Sequence, residues 1–138
     1  MQVTDAAKTD PEPTPARILV MDDEEPIRFA MKEYFETFGY QVDCARELEE
    51  AEALLTHIPY AVVIADLRLT GIYGAEGLGL VALVREQRPQ TRIVLLTAYG
   101  SPEVEAEARR LGVDSFLRKT KPLPDLAQIV GNLLGRPA

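Results

Sequence analysis

The chain has no tryptophan, one cysteine (Cys44) and one histidine (His57). A metal centre built from several thiolate and imidazole ligands is therefore excluded. No intrachain disulfide can form, which suits a reducing cytoplasm. A Ser-His-Asp arrangement would have to rely on His57 alone. Basic residues are also in deficit, 15 against 22 acidic ones, for a net charge of −7. That balance argues against a phosphate-neutralising face, so no direct nucleic-acid binding is expected. Long apolar runs are absent. The longest, such as Ala61 to Ala65, fall far short of the ~20 residues that span a bilayer, and the N-terminus lacks a signal peptide's apolar core. The expectation is a soluble cytoplasmic protein with no membrane contact.

What is present is an ordinary globular mixture of 138 residues, 46% apolar and 27% charged. That length fits one domain around one core. Residues 1–16 are polar, with Pro11, Pro13 and Pro15 at alternate positions. Such a composition favours extended forms, and we read it as a flexible leader to a domain spanning 17–138.

From there short apolar runs alternate with amphipathic stretches. Ile18 to Met21 is the first run. Pro26 opens a helical face of Ile27, Ala30, Met31, Tyr34, Phe35 and Phe38, stopped by Gly39. Val42 to Ala45 is a second strand candidate, and Leu48, Ala51, Leu54 and Leu55 mark a helix ended by Pro59. Ala61 to Ala65 is the third run. A loop from Gly71 to Gly79 with four glycines follows, then a helix carrying Leu80, Val81 and Val84. Ile93 to Leu96 is the fourth run; Ser101 and Pro102 cap and open a helix through Val104, Ala108 and Leu111, ended by Gly112. Ser115 to Leu117 is a short fifth run, and Leu126, Ile129, Val130, Leu133 and Leu134 line a last helix. The first and third runs are apolar without alternation, as in strands buried on both faces of a parallel sheet. Right-handed crossovers leave few topologies. The predicted fold is α/β: a flavodoxin-like (βα)5 arrangement, an open five-stranded parallel sheet of order 2-1-3-4-5 with helices on both faces.

Ligands of such sheets bind beyond the carboxyl ends of the strands, here between the first and third. The polar residues at those ends are Asp22 and Asp23, Asp66, Thr97 and Lys119. Each alone has an ordinary reading as a helix-start acid, a turn residue, a loop hydroxyl or a solvated charge. Together, three carboxylates would repel one another unless a cation neutralised them. All-oxygen ligands suit a hard ion such as Mg²⁺. One carboxylate can then serve as nucleophile, with a lysine and a hydroxyl for phosphoryl oxygens.

These residues resemble the response-regulator receiver family of bacterial two-component signalling, over roughly Arg17 to Leu134. Ile18 to Glu24 resembles its acidic metal-binding segment, and Ala61 to Leu69 its phosphoacceptor strand. Val94 to Ala98 resembles its hydroxyl-bearing segment, and Gly112 to Lys119 its switch aromatic and lysine. The resemblance implies that Asp66 accepts the phosphoryl group. It implies that Asp22, Asp23, Asp66 and the backbone carbonyl of Arg68 bind Mg²⁺, with Mn²⁺ an acceptable substitute. Thr97 and Lys119 would hold phosphoryl oxygens, and Phe116 would repack when Thr97 moves. Arg68 and Tyr99 occupy the positions that tune dephosphorylation in relatives. The implied donor is a sensor histidine kinase or phosphotransfer protein. The implied output is a downstream protein bound through the last two helices and the fifth strand.

Three departures stand out. Thr70 replaces a frequent proline, and the loop after it is long and glycine-rich. Lys119 precedes Thr120, where the family usually has a cis-proline bond; Lys121–Pro122 lies just beyond and is the competing lysine. His57 reads as a surface residue at a helix end, and Cys44 as filler of the second strand. The glycine-rich loop lacks a G-x-x-x-x-G-K pattern, against a nucleotide cradle. Two other functions remain: a small haloacid-dehalogenase-like phosphatase, disfavoured because Arg68 stands where a second aspartate is needed, and a degenerate receiver that acts without phosphorylation. Only four residues follow Leu134, so a stand-alone receiver is expected, with a phosphate sink, a relay intermediate or a piece of a longer regulator as other contexts.

Overall fold

Strand β1 (Arg17–Met21) lies inside the sheet, between β2 (Gln41–Ala45) and β3 (Val62–Asp66). Beyond β3 come β4 (Arg92–Thr97) and β5 (Ser115–Arg118), all parallel, in the order β2-β1-β3-β4-β5. The computed structural model describes residues 15–66, 73–98, 101–119 and 121–135. The expected leader up to Thr14, and Arg68, Thr70, Gly71, Tyr99 and Thr120, lie outside the described residues.

Alternation within each strand divides the core. Leu19 and Met21, Val63 and Ala65, and Ile93 and Leu95 enter one cluster, with Ala51, Leu55, Leu80, Val81, Val84 and Ala108. Ile18 and Val20, Val62 and Ile64, and Val94 and Leu96 enter the other, with Met31, Phe35, Leu126 and Val130. Helices α1 (Glu25–Glu36) and α5 (Leu123–Leu133) therefore cover one face. Helices α2 (Leu48–His57), α3 (Tyr73–Gln87) and α4 (Pro102–Arg110) cover the other. Burial on both faces explains why β1 and β3 show continuous apolar runs instead of alternation. Each fully buried Leu, Ile, Val or Phe contributes about 1.5–3 kcal/mol of transfer free energy.

The helix boundaries follow local chemistry. Ser101 Oγ accepts from the Val104 amide at 3.2 Å, capping α4, with Pro102 in its first turn. Past its end Gly112 takes φ +102°, which a side chain would resist. Two expectations need correction. Phe38 was assigned to the buried face of α1, but the helix ends before it; the ring is exposed and stacks edge-on against Tyr34 at 5.3 Å. Ala30, assigned to the same face, is also exposed. The loop expected to run to Gly79 stops sooner, because α3 starts at Tyr73 and takes in Gly74, Gly77 and Gly79. Each helical glycine costs up to about 1 kcal/mol. Once Leu80, Val81 and Val84 anchor the helix, extension costs less than fresh nucleation.

No helix among the described residues is long and apolar enough to cross a membrane.

Candidate functional site

The site lies at the carboxyl edge of β1, β3 and β4. Register sets its geometry: Met21 pairs with Ala65 and Asp66 with Leu96, so Asp22, Asp66 and Thr97 follow at neighbouring strand ends. One carboxylate oxygen each from Asp22, Asp23 and Asp66 lies within 4.8 Å of the others. The sequence-predicted acidic set is thus brought together, from stretches more than forty residues apart.

Asp22 is buried, at 2% exposure. Its Oδ1 accepts the Glu24 amide at 2.8 Å, and its backbone carbonyl accepts Arg28 Nη1 at 2.8 Å. Its Oδ2 makes no hydrogen bond. Lys119 Nζ is 3.3 Å from that oxygen, so the pair is held by charge and not by aligned donor geometry. Burial pushes the Asp22 carboxyl above its usual range; the Glu24 amide opposes this, the neighbouring Asp66 adds to it, and Lys119 opposes it.

Lys119 Nζ donates to Asp66 Oδ2 at 3.1 Å and to Glu24 Oε2 at 3.2 Å. Its own amide donates to the Thr97 carbonyl at 2.8 Å, which locks the end of β5 to β4. Burial lowers the ammonium's hold on its proton, but Asp66, Asp22 and Glu24 outweigh that and raise it well above the ordinary lysine value. Lys121 makes no ion pair with the site carboxylates, which separates the two candidate lysines geometrically. No cis peptide bond occurs among the described residues, and Lys121–Pro122 is trans.

Thr97 is buried at the end of β4. Phe116, opposite Leu95 in register, is half-buried against the α2–α3–α4 side of the core. Between them lies a cavity of about 280 Å³, lined by Thr97, Ser101, Pro102, Glu105, Phe116 and Arg118, with Leu117. His57 is exposed in the last turn of α2, away from this edge. Cys44 is half-buried in β2, and its thiol faces the Arg28 carbonyl at 3.8 Å.

The donor chemistry fits a hard dication. The carboxylates of Asp22, Glu24 and Asp66 share the Lys119 ammonium, and the Asp23 carboxylate stands beside Asp22 and Asp66. An unbonded buried Asp22 oxygen is a ready ligand. The Arg68 carbonyl falls outside the described residues. Glu24 is the residue that sequence reasoning missed. It was read as part of an acidic segment, and nothing local signals a partner 95 positions away.

Residues 18–131 match the family model described as response regulator receiver domain. The chain is 31% identical over 118 residues to the response regulator protein PilR of Pseudomonas aeruginosa, which covers 86% of this chain and 26% of PilR. It is 33% identical over 102 residues to the photosynthetic apparatus regulatory protein RegA of Cereibacter sphaeroides, covering 74% of this chain and 54% of RegA. The chain thus spans between about a quarter and about half the length of these relatives. A CheY-like receiver domain protein of Methanospirillum hungatei superposes with TM-score 0.82 at 25% identity, over 88% of this chain and 95% of that one. A response regulator of Burkholderia pseudomallei, solved with a phosphorylated aspartic acid, a calcium ion and citrate, gives 0.76 at 27% identity, over 87% and 69%.

Proposed function

The chain belongs to the response regulator receiver family, and from that premise we propose that Asp66 accepts a phosphoryl group and thereby switches a protein-binding surface. The observation that carries this reading is the meeting of Asp22, Asp23 and Asp66 within 4.8 Å at the rim that also holds Lys119.

The donor is a phosphohistidine on a sensor kinase or phosphotransfer protein. An Asp66 oxygen attacks the phosphorus. The P–O bond forms as the P–N bond breaks, and the imidazole leaves with the electron pair and takes a proton from water. Such a transfer needs chiefly positioning and charge stabilisation. Asp22, Asp23 and Asp66, with the Arg68 carbonyl, would hold Mg²⁺ or, in its place, Mn²⁺. The ion, when bound, supplies positive charge for the phosphoryl oxygens. Lys119, already 3.1 Å from Asp66, supplies a second positive charge, and Thr97 a hydroxyl donor.

Thr97 drawn toward the new group leaves space behind it. Phe116 borders the cavity there, so its ring packs inward and the α4–β5–α5 surface changes. A switch from 1:99 to 99:1 requires roughly 5.5 kcal/mol of preference for the phosphorylated form. The partner downstream meets this surface, and the protein works in the cytoplasm. The phosphatase and the phosphorylation-independent readings find no support: the family match covers residues 18–131, position 68 is arginine, and the three aspartates lie together with Lys119 beside them.

Incubation with a small phosphodonor and Mg²⁺ should place a base-labile label on the protein. Asp66→Ala should abolish it, a loss of at least about a hundredfold. Label that persists in Asp66→Ala would refute the assignment.

A further inference from the structure

Glu24 makes a contact far from its place in the chain. It stands at the N-cap of α1, where a side-chain oxygen ordinarily accepts one of the free amides of the first turn. Its side chain caps nothing. Only its backbone carbonyl serves the helix, accepting the Ile27 and Arg28 amides at 3.1 Å. The carboxylate instead crosses to β5's far end and takes a bond from Lys119 Nζ at 3.2 Å. Helices α2 and α5 also start without a side-chain cap, so what sets Glu24 apart is the long-range contact with Lys119.

Three carboxylates thus crowd one ammonium, and their exposures differ: Asp22 2%, Asp66 7%, Glu24 54%. Lys119 itself is 15% exposed, and Glu24 is the most exposed of its three partners. A phosphoryl oxygen that needs Lys119 must take a place now held by a carboxylate. Withdrawing the ammonium from Asp22 or Asp66 would leave a buried charge uncompensated, which is costly. Glu24 returns to water at little cost, because exposed ion pairs are weak.

We infer that Glu24 is a positioning residue that occupies the phosphoryl side of Lys119 in the unphosphorylated protein and is displaced when a phosphoryl group arrives. The inference rests on Asp66 as phosphoacceptor and adds a specificity to that reaction. Glu24 acts through Lys119 and does not touch the donor. A small anionic phosphodonor must displace it unaided. A protein donor brings further contacts that offset the displacement, so Glu24 biases the site against small phosphodonors.

Two variants test this with Mg²⁺ saturating. Glu24→Gln removes the charge and keeps the size. Glu24→Asp keeps the charge and shortens the reach to Lys119. Affinity for beryllofluoride is read by calorimetry, and labelling by acetyl phosphate is read against its concentration. Both variants should bind beryllofluoride about two- to fivefold more tightly, the range of one exposed ion pair. Each should reach half-maximal labelling at correspondingly lower acetyl phosphate, with the maximal rate unchanged. The gain of Glu24→Gln should shrink between about 0.05 M and about 0.5 M salt, as screening weakens the competing pair. Unchanged affinity in Glu24→Gln overturns the inference. So does a gain in Glu24→Gln with none in Glu24→Asp, which would assign the effect to diffuse charge. Asp66→Ala run in parallel separates the premise: wild type without label, or label surviving Asp66→Ala, overturns the phosphoacceptor reading whatever Glu24 does.

Discussion

Burial alone would favour a neutral Lys119, yet Asp66, Asp22 and Glu24 together hold its proton in place. Its folded value is raised above the usual 10.5, so the stabilisation it supplies is complete below that pH and is lost only as pH rises through the higher folded value. The ammonium is therefore available to a phosphoryl group throughout the neutral range. Lys119→Ala should slow labelling by small phosphodonors at least tenfold, since it deletes a charge aimed at developing negative oxygens. Lys121→Ala should stay within about twofold, as its side chain reaches none of the site carboxylates. Rates from gel-resolved labelling would decide, and the reverse order would move the role to Lys121. The choice between these lysines was open to sequence reasoning through the Phe116-x-x-Lys119 spacing. The contact of Glu24 was not, because a side chain's reach across the rim depends on where two distant elements are docked.

At the scale of elements, one arginine ties the ends of several together. From α3, Arg85 donates to the Gly112 carbonyl at 3.0 Å and to the Pro89 and Thr91 carbonyls at 2.8 Å each. It also pairs with Asp114 Oδ2 at 2.9 Å. That carboxylate accepts the Ile93 amide at 2.8 Å and Arg92 at 3.2 Å, so the entrances of β4 and β5 are joined to α3. Gly112 belongs to the same device: a Cβ there would meet Arg85 Nε at 3.0 Å, and its φ is already left-handed. Arg85→Ala should cost about 2–3 kcal/mol, because four acceptors, two of them in partly buried bonds, lose their donor at once. Urea denaturation should show a lower midpoint with an unchanged slope. Arg85→Lys should recover little of it, since a lysine cannot reproduce the planar fork. A loss under about 0.5 kcal/mol would show the network to be ornamental. The strands and most helices were legible in apolar periodicity. The start of α3 was not: glycine spacing reads locally as loop, whereas the buried Leu80–Val81–Val84 stripe decides where the helix can extend.

For the whole molecule, the acidic rim sets function against stability. The Asp22 carboxyl is raised chiefly by burial. Its stabilising contribution is therefore complete below the usual 3.8 and lost as pH rises through the folded value. At neutral pH and without divalent cations, the ionised group is a liability. Asp22→Asn should then raise the thermal midpoint by roughly 3 °C, keeping the bond to the Glu24 amide through its own oxygen. The advantage should vanish below about pH 4. With Mg²⁺ at a hundred times its Kd, the wild type should gain about 2.7 kcal/mol by linkage, while the variant gains almost nothing, so their order inverts. A variant less stable than wild type in chelator would contradict this account.

Continuous apolar runs, the helical stripes between them and the polar residues placed just after β1, β3, β4 and β5 were sufficient for sequence alone to determine the fold class, the strand order and the meeting of Asp22, Asp23 and Asp66 with Lys119 at the edge where β4 ends in Thr97. Those features are carried by neighbours along the chain, whose periodicity and turn chemistry act over a few residues. Only the tertiary structure decided that Glu24 reaches Lys119, that Arg85 ties together the loops entering β4 and β5, that α3 begins among glycines and that Phe38 stays outside the core. Each of these depends on distances between elements remote in sequence, which become fixed only when the sheet and its two helical layers pack.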